Sequence, residues 1–495
     1  MIVFIRNFLA TFVEMQKTYK PFHIVLFIVL CLILLGAITY AVPEGRKEIF
    51  GYEFRFLSEA KLLKNEKRKE VNLDSLFIDI DTTIVDEVEE PEGKVKNYKL
   101  TKEDLLSYSE SGKKKFTAFL NQLKGGISQK TRILHYGDSQ IEGDRVTAFL
   151  RQRLQTQFGG SGPGFIPAVN VYETISYTQT VSENFQRYTN FGGQKLSNKR
   201  YGIMNSVGRF TPEYPDSISL DSLKLATAWM EIEPGRLAYG TAKRYKSITL
   251  HYADAFSPCE LKIWNNGELV KSDSLIPDGK YHKFKYTFPG EVGKVKFEYT
   301  AKISPHILGY SLEGDGGLQV DNIAMRGSSG TFFGKIDQTL AKQIYDEQNV
   351  ELFIMQFGGN AVPYIKDSAD VAQTVRYFKG QLNVIQRLRP NAMIIVIGPS
   401  DMSTLIEEEF RTYPLLPFYV DELRKMTKEI GGAYFDMYAA MGGEDAMAAW
   451  VEKGLASQDH VHFTLKGASI ATQKFYDAFM TSYNKLTKVD DSTKN

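Results

Sequence analysis

The chain has 495 residues, 43% hydrophobic and 24% charged, a balance that belongs to folded protein rather than to disorder. Its length suggests about two to four domains. A formal net charge of +1 gives no long-range attraction to a polyanion, and no basic aromatic stripe is present, so nucleic acid is excluded as a partner. The two cysteines, Cys31 in an apolar run and Cys259 far along the chain, supply no disulfide framework. No Cys or His cluster has zinc-ligand spacing, so neither a metal nor another cofactor is expected.

Phe22–Val42 is almost uninterrupted apolar sequence, about the 20 residues that a membrane-spanning helix needs. Arg6, Lys17 and Lys20 precede it, whereas Glu44, Arg46, Lys47 and Glu48 beyond it cancel. That bias places the N-terminus in the cytoplasm and all that follows outside: a single-pass protein of the inner (cytoplasmic) membrane with a periplasmic body. The alternative is a signal peptide cut after Thr39-Tyr40-Ala41, against which stand the length of the run and the 20 or so residues before it. From Gly51 to Lys99 the texture is that of a stalk. Glu53–Glu70 is charged and helix-prone, and Ile78–Glu92 carries seven acidic residues and no basic one, as a solvated linker does.

From Leu100 strands and helices alternate. Leu105, Phe116, Phe119, Leu120 and Leu123 mark a helix that Gly125-Gly126 ends. Arg132–Tyr136 is a strand and Ile141–Phe158 an amphipathic helix. After Leu318 come strands at Glu351–Phe357, Met393–Ile397 and Ala433–Asp436, and helices at Phe332–Gln348, Val371–Leu388, Val420–Ile430 and Lys466–Leu486. Such alternation predicts a parallel sheet covered on both faces. Between these halves, from Pro167 to Glu313, the period changes to two. Ile248/Leu250/Tyr252, Phe284/Tyr286/Phe288 and Val295/Phe297/Tyr299 alternate with polar residues, and Asn266-Gly267, Pro277-Asp278-Gly279 and Pro289-Gly290 turn between runs. The expectation is an inserted β-sandwich or jelly roll. Gly159–Gly164 lacks the Lys-Ser or Lys-Thr and the following helix of a phosphate loop, and reads as a flexible junction to the insertion.

The strand Arg132–Tyr136 runs into Gly137-Asp138-Ser139-Gln140 and then a helix. A serine there sits at the carboxyl edge of a parallel sheet, with a helix N-terminus to help stabilise an oxyanion. Asp138-Ser139 as a plain helix cap is an equal reading of that segment alone. Near the C-terminus, Asp459-His460-Val461-His462 offers an Asp three residues before a His, a spacing that lets the carboxylate orient an imidazole toward a serine. His460 competes as base, but adjacent side chains such as Asp459 and His460 point apart, which favours His462.

In order, Gly137-Asp138-Ser139, Gly358-Gly359-Asn360 and Asp459-x-x-His462 resemble the blocks of the SGNH/GDSL hydrolase superfamily. The resemblance implies a flavodoxin-like three-layer α/β/α domain, Ser139 as nucleophile, and Asp459 and His462 as the rest of the triad. It also implies an oxyanion hole made by the Ser139 N–H, a second-block glycine and Asn360. Gly327 in Arg326-Gly327-Ser328-Ser329-Gly330 best fits that glycine, with Gly330 as the alternative register. Gly398-Pro399-Ser400-Asp401-Met402 resembles the fourth block. Ala361 departs from the pattern, since many members carry an acid after the asparagine. Gly-Asp-Ser-Gln followed by Glu142 and Arg145 is similar to envelope members acting on O-acetylated glycans, including peptidoglycan O-acetylesterases with an inserted carbohydrate-binding-module-like domain. Glu142 and Arg145 then either reach substrate or form an ion pair. Tyr252, Trp264, Tyr281 and Tyr286 of the insertion are read chiefly as core, with sugar stacking the lesser alternative.

The expected organisation is a cytoplasmic N-terminus (1–21), an anchor (22–42), a stalk (43–99), a hydrolase domain in two parts (100–166 and 318–486), a β insertion (167–317) and a tail (487–495). The expected activity is removal of O-acetyl groups from an envelope glycan through an acyl-enzyme. Two alternatives stand beside it: an O-acetyltransferase partnered by a membrane acyl-donor protein, and a non-catalytic glycan-binding protein.

Overall fold

The computed structural model describes residues 21–41, 46–49, 52–55, 106–124, 130–215, 217–290 and 292–487. The acidic linker, the Gly125-Gly126 stop and the tail beyond Thr487 fall outside them. The chain divides into two units, residues 1–70 and 71–495. In the first, helix α1 spans Pro21–Ala41, 21 residues. Several of its side chains lie outside the described set; among the described residues no helix is long and apolar enough to cross a membrane. Strands β1 (Arg46–Ile49) and β2 (Tyr52–Arg55) form an antiparallel hairpin, so the helix-prone reading from Glu53 fails at its start.

Among the described residues the second unit begins with β3 (Ser107–Tyr108), α2 (Glu110–Leu123), β4 (Thr131–Gly137) and α3 (Thr147–Phe158). The insertion follows as β5 (Gly164–Ile166), β6 (Tyr177–Val181), β7 (Gln186–Thr189), β8 (Ser206–Arg209), β9 (Ala226–Pro234), the short α4 (Gly240–Lys243), β10 (Ser247–Ala253), β11 (Cys259–Asn265), β12 (Glu268–Leu275), β13 (His282–Thr287), β14 (Val295–Ala301) and β15 (His306–Glu313). The α/β pattern then resumes with β16 (Leu318–Ala324), α5 (Gln338–Glu347), β17 (Val350–Gln356), α6 (Ser368–Leu388), β18 (Met393–Ile397), the hairpin β19 (Ser403–Ile406) and β20 (Glu409–Thr412), α7 (Leu416–Glu429), β21 (Ala433–Phe435), α8 (Met437–Ala440), α9 (Ala446–Glu452) and α10 (Leu465–Thr487).

The central sheet has the order β16-β4-β17-β18-β21-β3, parallel throughout except for the antiparallel edge strand β3. Counting only its parallel strands along the chain, the order is 2-1-3-4-5, the flavodoxin-like arrangement. Side chains alternate across each strand. Leu134, Tyr136, Phe353, Met355, Ile394 and Val396 therefore face α5, α6 and α7. Ile133, Leu352, Ile354, Ile395 and Ile397 face α2, α3 and α10. Burying each such side chain contributes about 1.5–3 kcal/mol, and the two faces together make three layers.

The insertion is a sandwich of two antiparallel sheets, β13-β10-β15-β8-β7 with β5 added on β15, and β12-β11-β14-β9-β6. Its core lies between them, around Ile248, Leu250, Leu261, Phe297 and Tyr299. Tyr252 and Tyr281 are buried, whereas Trp264 and Tyr286 are half-buried. At the β11–β12 turn Asn266 and Gly267 take φ of 50° and 85°, as a two-residue hairpin of this sequence requires. Tyr188, Tyr201, Ile203 and Leu308 of the insertion join the hydrophobic cluster on the α5–α7 side of the central sheet, so the insertion shares that core.

Three expectations need correction. The helix after Ser139 does not begin at Ile141. Residues Ser139–Asp144 form a tight 3₁₀ segment, broken at Glu142 and Gly143, and the α-helix starts at Thr147. Gly143 and Asp144 take φ of 68° and 65°, which interrupts helical hydrogen bonding. The helix drawn from Phe332 starts instead at Gln338, where Asp337 caps it by accepting the Leu340 N–H at 3.0 Å. Finally, the glycine-rich junction is packed and not loose. Gly160 has φ of 112°, and a Cβ there would run into the Leu318 carbonyl. Close backbone passage, not flexibility, is what those glycines permit.

Candidate active site

In a 2-1-3-4-5 sheet the chain leaves β4 and β17 in opposite directions, which opens a crevice at their carboxyl ends. Ser139 follows β4, Asn360 follows β17, and Pro399-Ser400 follow β18. All of them line one cavity of about 230 Å³, together with Gln140, Gly359, Met402, Tyr364 and His462.

The Ser139 hydroxyl lies 2.7 Å from His462 Nε2, and His462 Nδ1 lies 2.7 Å from Asp459 Oδ2. Nδ1–H donates to the carboxylate, which leaves Nε2 as acceptor of the serine proton. The other Asp459 oxygen accepts the N–H groups of Val461 and His462, each at 3.0 Å, so one carboxylate shapes the turn and orients the ring. Burial alone would raise the Asp459 pKa, but these bonds from His462 and Val461 outweigh it and hold the carboxyl below its ordinary value. His460 points elsewhere. Its buried ring stacks on Phe410 at 3.7 Å, and its backbone takes φ of 56°.

Gln140 is a residue the sequence reading left without a role. Its Nε2 donates to the Val461 carbonyl at 2.6 Å, and its Oε1 lies 3.5 Å from the Phe463 N–H. It thus clamps the loop on both sides of His462. Arg145 helps, donating to the Phe463 carbonyl at 3.4 Å and to the Glu142 carbonyl at 2.9 Å. The carboxylate of Glu142 is 3.1 Å from Arg326. The signal for Gln140 was its place directly after Ser139; the clamp needs residues some 320 positions away and is invisible locally.

Asp138 is buried and caps the segment that follows, accepting the Gln140 N–H at 2.9 Å. The capping reading is therefore correct for Asp138, while Ser139 is left to face His462. Burial pushes the Asp138 carboxyl up to about 6. Asn360 Nδ2 donates to Asp138 Oδ2 at 3.1 Å and to the Ser328 carbonyl at 3.2 Å. Each proton of that amide already has an acceptor, so a bound oxyanion has to share one. Gly327 is not among the residues lining the cavity; Ser328 beside it is what touches Asn360. Gly330, the alternative, packs against Phe357 and Phe378, and its N–H donates to the Ser328 hydroxyl at 3.1 Å. Ala361 is buried in the hydrophobic core, where an acid would be costly. Gly358 takes φ of 126° beside Pro399.

Among the described residues, no group of three or more His, Cys, Asp or Glu side chains is placed to hold a metal ion. No protein-family model matches the chain, and no curated protein matches it. Solved structures do. The chain is similar to a peptidoglycan O-acetylesterase with a TM-score of 0.60 at 19% identity, over 77% of this chain and 99% of that one. A family two carbohydrate esterase from Cellvibrio japonicus matches at TM-score 0.24 and 8% identity, over 62% of this chain and 99% of that one. An acetyl xylan esterase, AlAXEase, matches at TM-score 0.24 and 13% identity, over 32% and 81%. The first of these establishes a common fold over most of the chain.

Proposed function

We propose that this chain is an SGNH-type serine esterase that removes O-acetyl groups from a cell-envelope glycan. The observation that carries the reading is the unbroken relay Ser139–His462–Asp459, with both hydrogen bonds at 2.7 Å, inside an open cavity at the sheet's switch point. His462 takes the Ser139 proton as the oxygen attacks the acetyl carbonyl. The Ser139 N–H and the Asn360 amide are the proposed donors to the resulting oxyanion, each donor of this kind being worth roughly 10²–10³ in rate; Gly327, outside the cavity, is not used. His462 then protonates the departing sugar oxygen, leaving an acetyl-serine. Water, deprotonated by the same imidazole, releases acetate and restores the hydroxyl.

The His462 side chain is 30% exposed and Asp459 49%, so the imidazole that would activate a water is open to solvent, which supports hydrolysis over transfer to a second sugar. The fold shared with a peptidoglycan O-acetylesterase supports a glycan ester as substrate. Helix α1 is proposed as an uncleaved anchor that holds the body outside the cytoplasmic membrane.

The test incubates the full-length chain with a chromogenic acetyl ester and with O-acetylated cell-wall polymer, following free acetate and acetylated sugar. Release of acetate that Ser139→Ala abolishes supports the reading. No turnover by the wild type refutes it, and acetyl moved mainly onto added sugar replaces it with a transferase.

A further inference from the structure

Beyond Ser139 the 3₁₀ segment runs against the insertion, where the Ile175 N–H donates to the Gly143 carbonyl at 3.1 Å. A second cavity of about 140 Å³ opens here, between the insertion and the carboxyl end of β16. Tyr172, Arg187 and Phe191 line it from the insertion, and Asn322 and Arg326 from the α/β side. Arg326 is 62% exposed at the side chain, lies over the Tyr172 ring at 5.2 Å and reaches Glu142. Arg187 is half-buried, yet among the described residues its side chain makes no hydrogen bond or ion pair. Burial lowers its pKa, and Tyr172 is the titratable group that faces it.

A half-buried guanidinium without an acceptor has lost part of its hydration, which a bound anion offsets. Its planar fork suits a carboxylate, which it can hold through two parallel bonds. Tyr172 and the exposed ring of Phe191 offer flat apolar faces to the C–H side of a sugar. The site is linked to the His462 loop through a chain of side chains. Arg145 at Phe463, Glu142, Arg326 and Arg187 form a band leading from His462 to the insertion, and its facing carboxylates are Glu142 and, at the His462 end, Asp459.

We propose that this cleft is a subsite for a carboxylate-bearing residue of the acetylated glycan, with Arg187 binding the carboxylate and Tyr172 and Phe191 packing on the sugar beside it. The proposal rests on the esterase reading for its ligand class. The carboxylate has two sources, the ring of a uronic acid or a peptide carried on peptidoglycan, and the experiment separates them.

Calorimetry measures binding to the full-length Ser139→Ala chain, with and without Arg187→Ala. The ligands are O-acetylated uronic-acid oligomers, O-acetylated peptidoglycan fragments with stem peptides, and carboxyl-reduced versions of each. The expected result is a loss of about ten- to a hundredfold on Arg187→Ala for one carboxylated ligand, the loss typical of a hydrogen bond to a charged group. Its carboxyl-reduced version should bind the parent as weakly and lose nothing more on substitution. Arg187→Lys should recover part of the affinity and serves if Arg187→Ala does not fold. Unchanged affinity for both carboxylated ligands overturns the proposal, as does equal loss for carboxylated and reduced forms. Because binding is read without turnover, these outcomes are distinct from failure of the wild type to hydrolyse an acetyl ester.

Discussion

Asp459→Asn tests the relay most sharply. The amide side chain so introduced can keep its carbonyl oxygen on the N–H groups of Val461 and His462, where Asp459 Oδ1 now accepts both at 3.0 Å. The amide nitrogen then replaces Oδ2 at 2.7 Å from His462 Nδ1 and donates to it. That bond favours the tautomer with its proton on Nε2, which cannot accept from Ser139. A neutral hydrogen bond worth about 1 kcal/mol costs roughly a factor of five to ten in the competent form. The larger loss is charge. An imidazolium about 4 Å from a carboxylate gains about 4 kcal/mol at an effective dielectric near 20. With Asp459 49% exposed, water screens part of this, leaving about 2–3 kcal/mol. Together the terms predict a fall in kcat of roughly 10²–10³, less than the ~10⁴ for a buried triad aspartate. The assay is kcat on a chromogenic acetyl ester, with circular dichroism to confirm folding. A loss below fivefold in a folded variant would refute the assignment of Asp459.

Other substitutions address the rest of the molecule. Ser139→Ala should remove turnover by at least about 10⁴-fold, with a melting temperature within about 3 °C of the wild type. His460→Ala should keep turnover within about threefold while losing about 1 kcal/mol of stability with the Phe410 stack, read by urea unfolding; a loss equal to that of His462→Ala would make His460 the base. Gly160→Ala should destabilise by at least about 2 kcal/mol, since the added Cβ meets backbone at φ of 112°; no change in the urea midpoint would show the junction to be loose. Asp401 is buried, and that burial pushes its carboxyl up to about 7 from an ordinary 3.8. Its folded pKa being the higher, the group favours folding below about pH 4, and that contribution is lost as pH rises through 7, by about 4 kcal/mol. Asp401→Asn should flatten this part of the stability profile between pH 4 and 7; an unchanged slope would assign it to other groups.

The sequence carried β17, β18 and β21 of the central sheet because parallel strands buried on both faces are continuous apolar runs, and Met393–Ile397 emerges with the expected bounds. The insertion was legible through its period of two and its hairpin turn at Asn266-Gly267. Ser139 and Asn360 were legible because each follows a strand within a short motif, and His462 because Asp459 stands three residues before it; the fold brings all three to one cavity. The segment after Ser139 was misread because Ile141 extends the apolar spacing of Val146, Phe149, Leu150 and Leu154 backwards, although Gly143-Asp144 ends the helix there. Composition could not separate a flexible glycine run from one that passes close to backbone, since both need the same missing side chain. The partners of Asn360, the clamp by Gln140 and the pairing of Glu142 with Arg326 depend on residues brought together only by the tertiary fold.

The place of the insertion explains how it can occupy the crossover between the first two parallel strands without disturbing the site between β4 and β17. Its entry strand β5 pairs antiparallel with its exit strand β15, so the chain leaves and re-enters the α/β domain at one point. Arg132 of β4 is buried there, bound to both oxygens of Asp321 at 2.8 and 2.7 Å and paired with Glu313 of β15, and Asp321 also accepts the Phe165 N–H of β5 at 2.9 Å. Removing one member of such a buried set leaves a charge uncompensated, so entry, exit and core are fixed together. At the carboxyl end of β4 the tie is equally direct. Asp144, in the left-handed conformation after Ser139, pairs with Arg151 at 2.7 Å and accepts a hydrogen bond from Ser176 of the insertion. The turn that presents Ser139 is therefore held from outside as well as from its own sheet, by Ser176 on Asp144 and by Ile175 on Gly143. That makes the insertion part of the framework that positions Ser139.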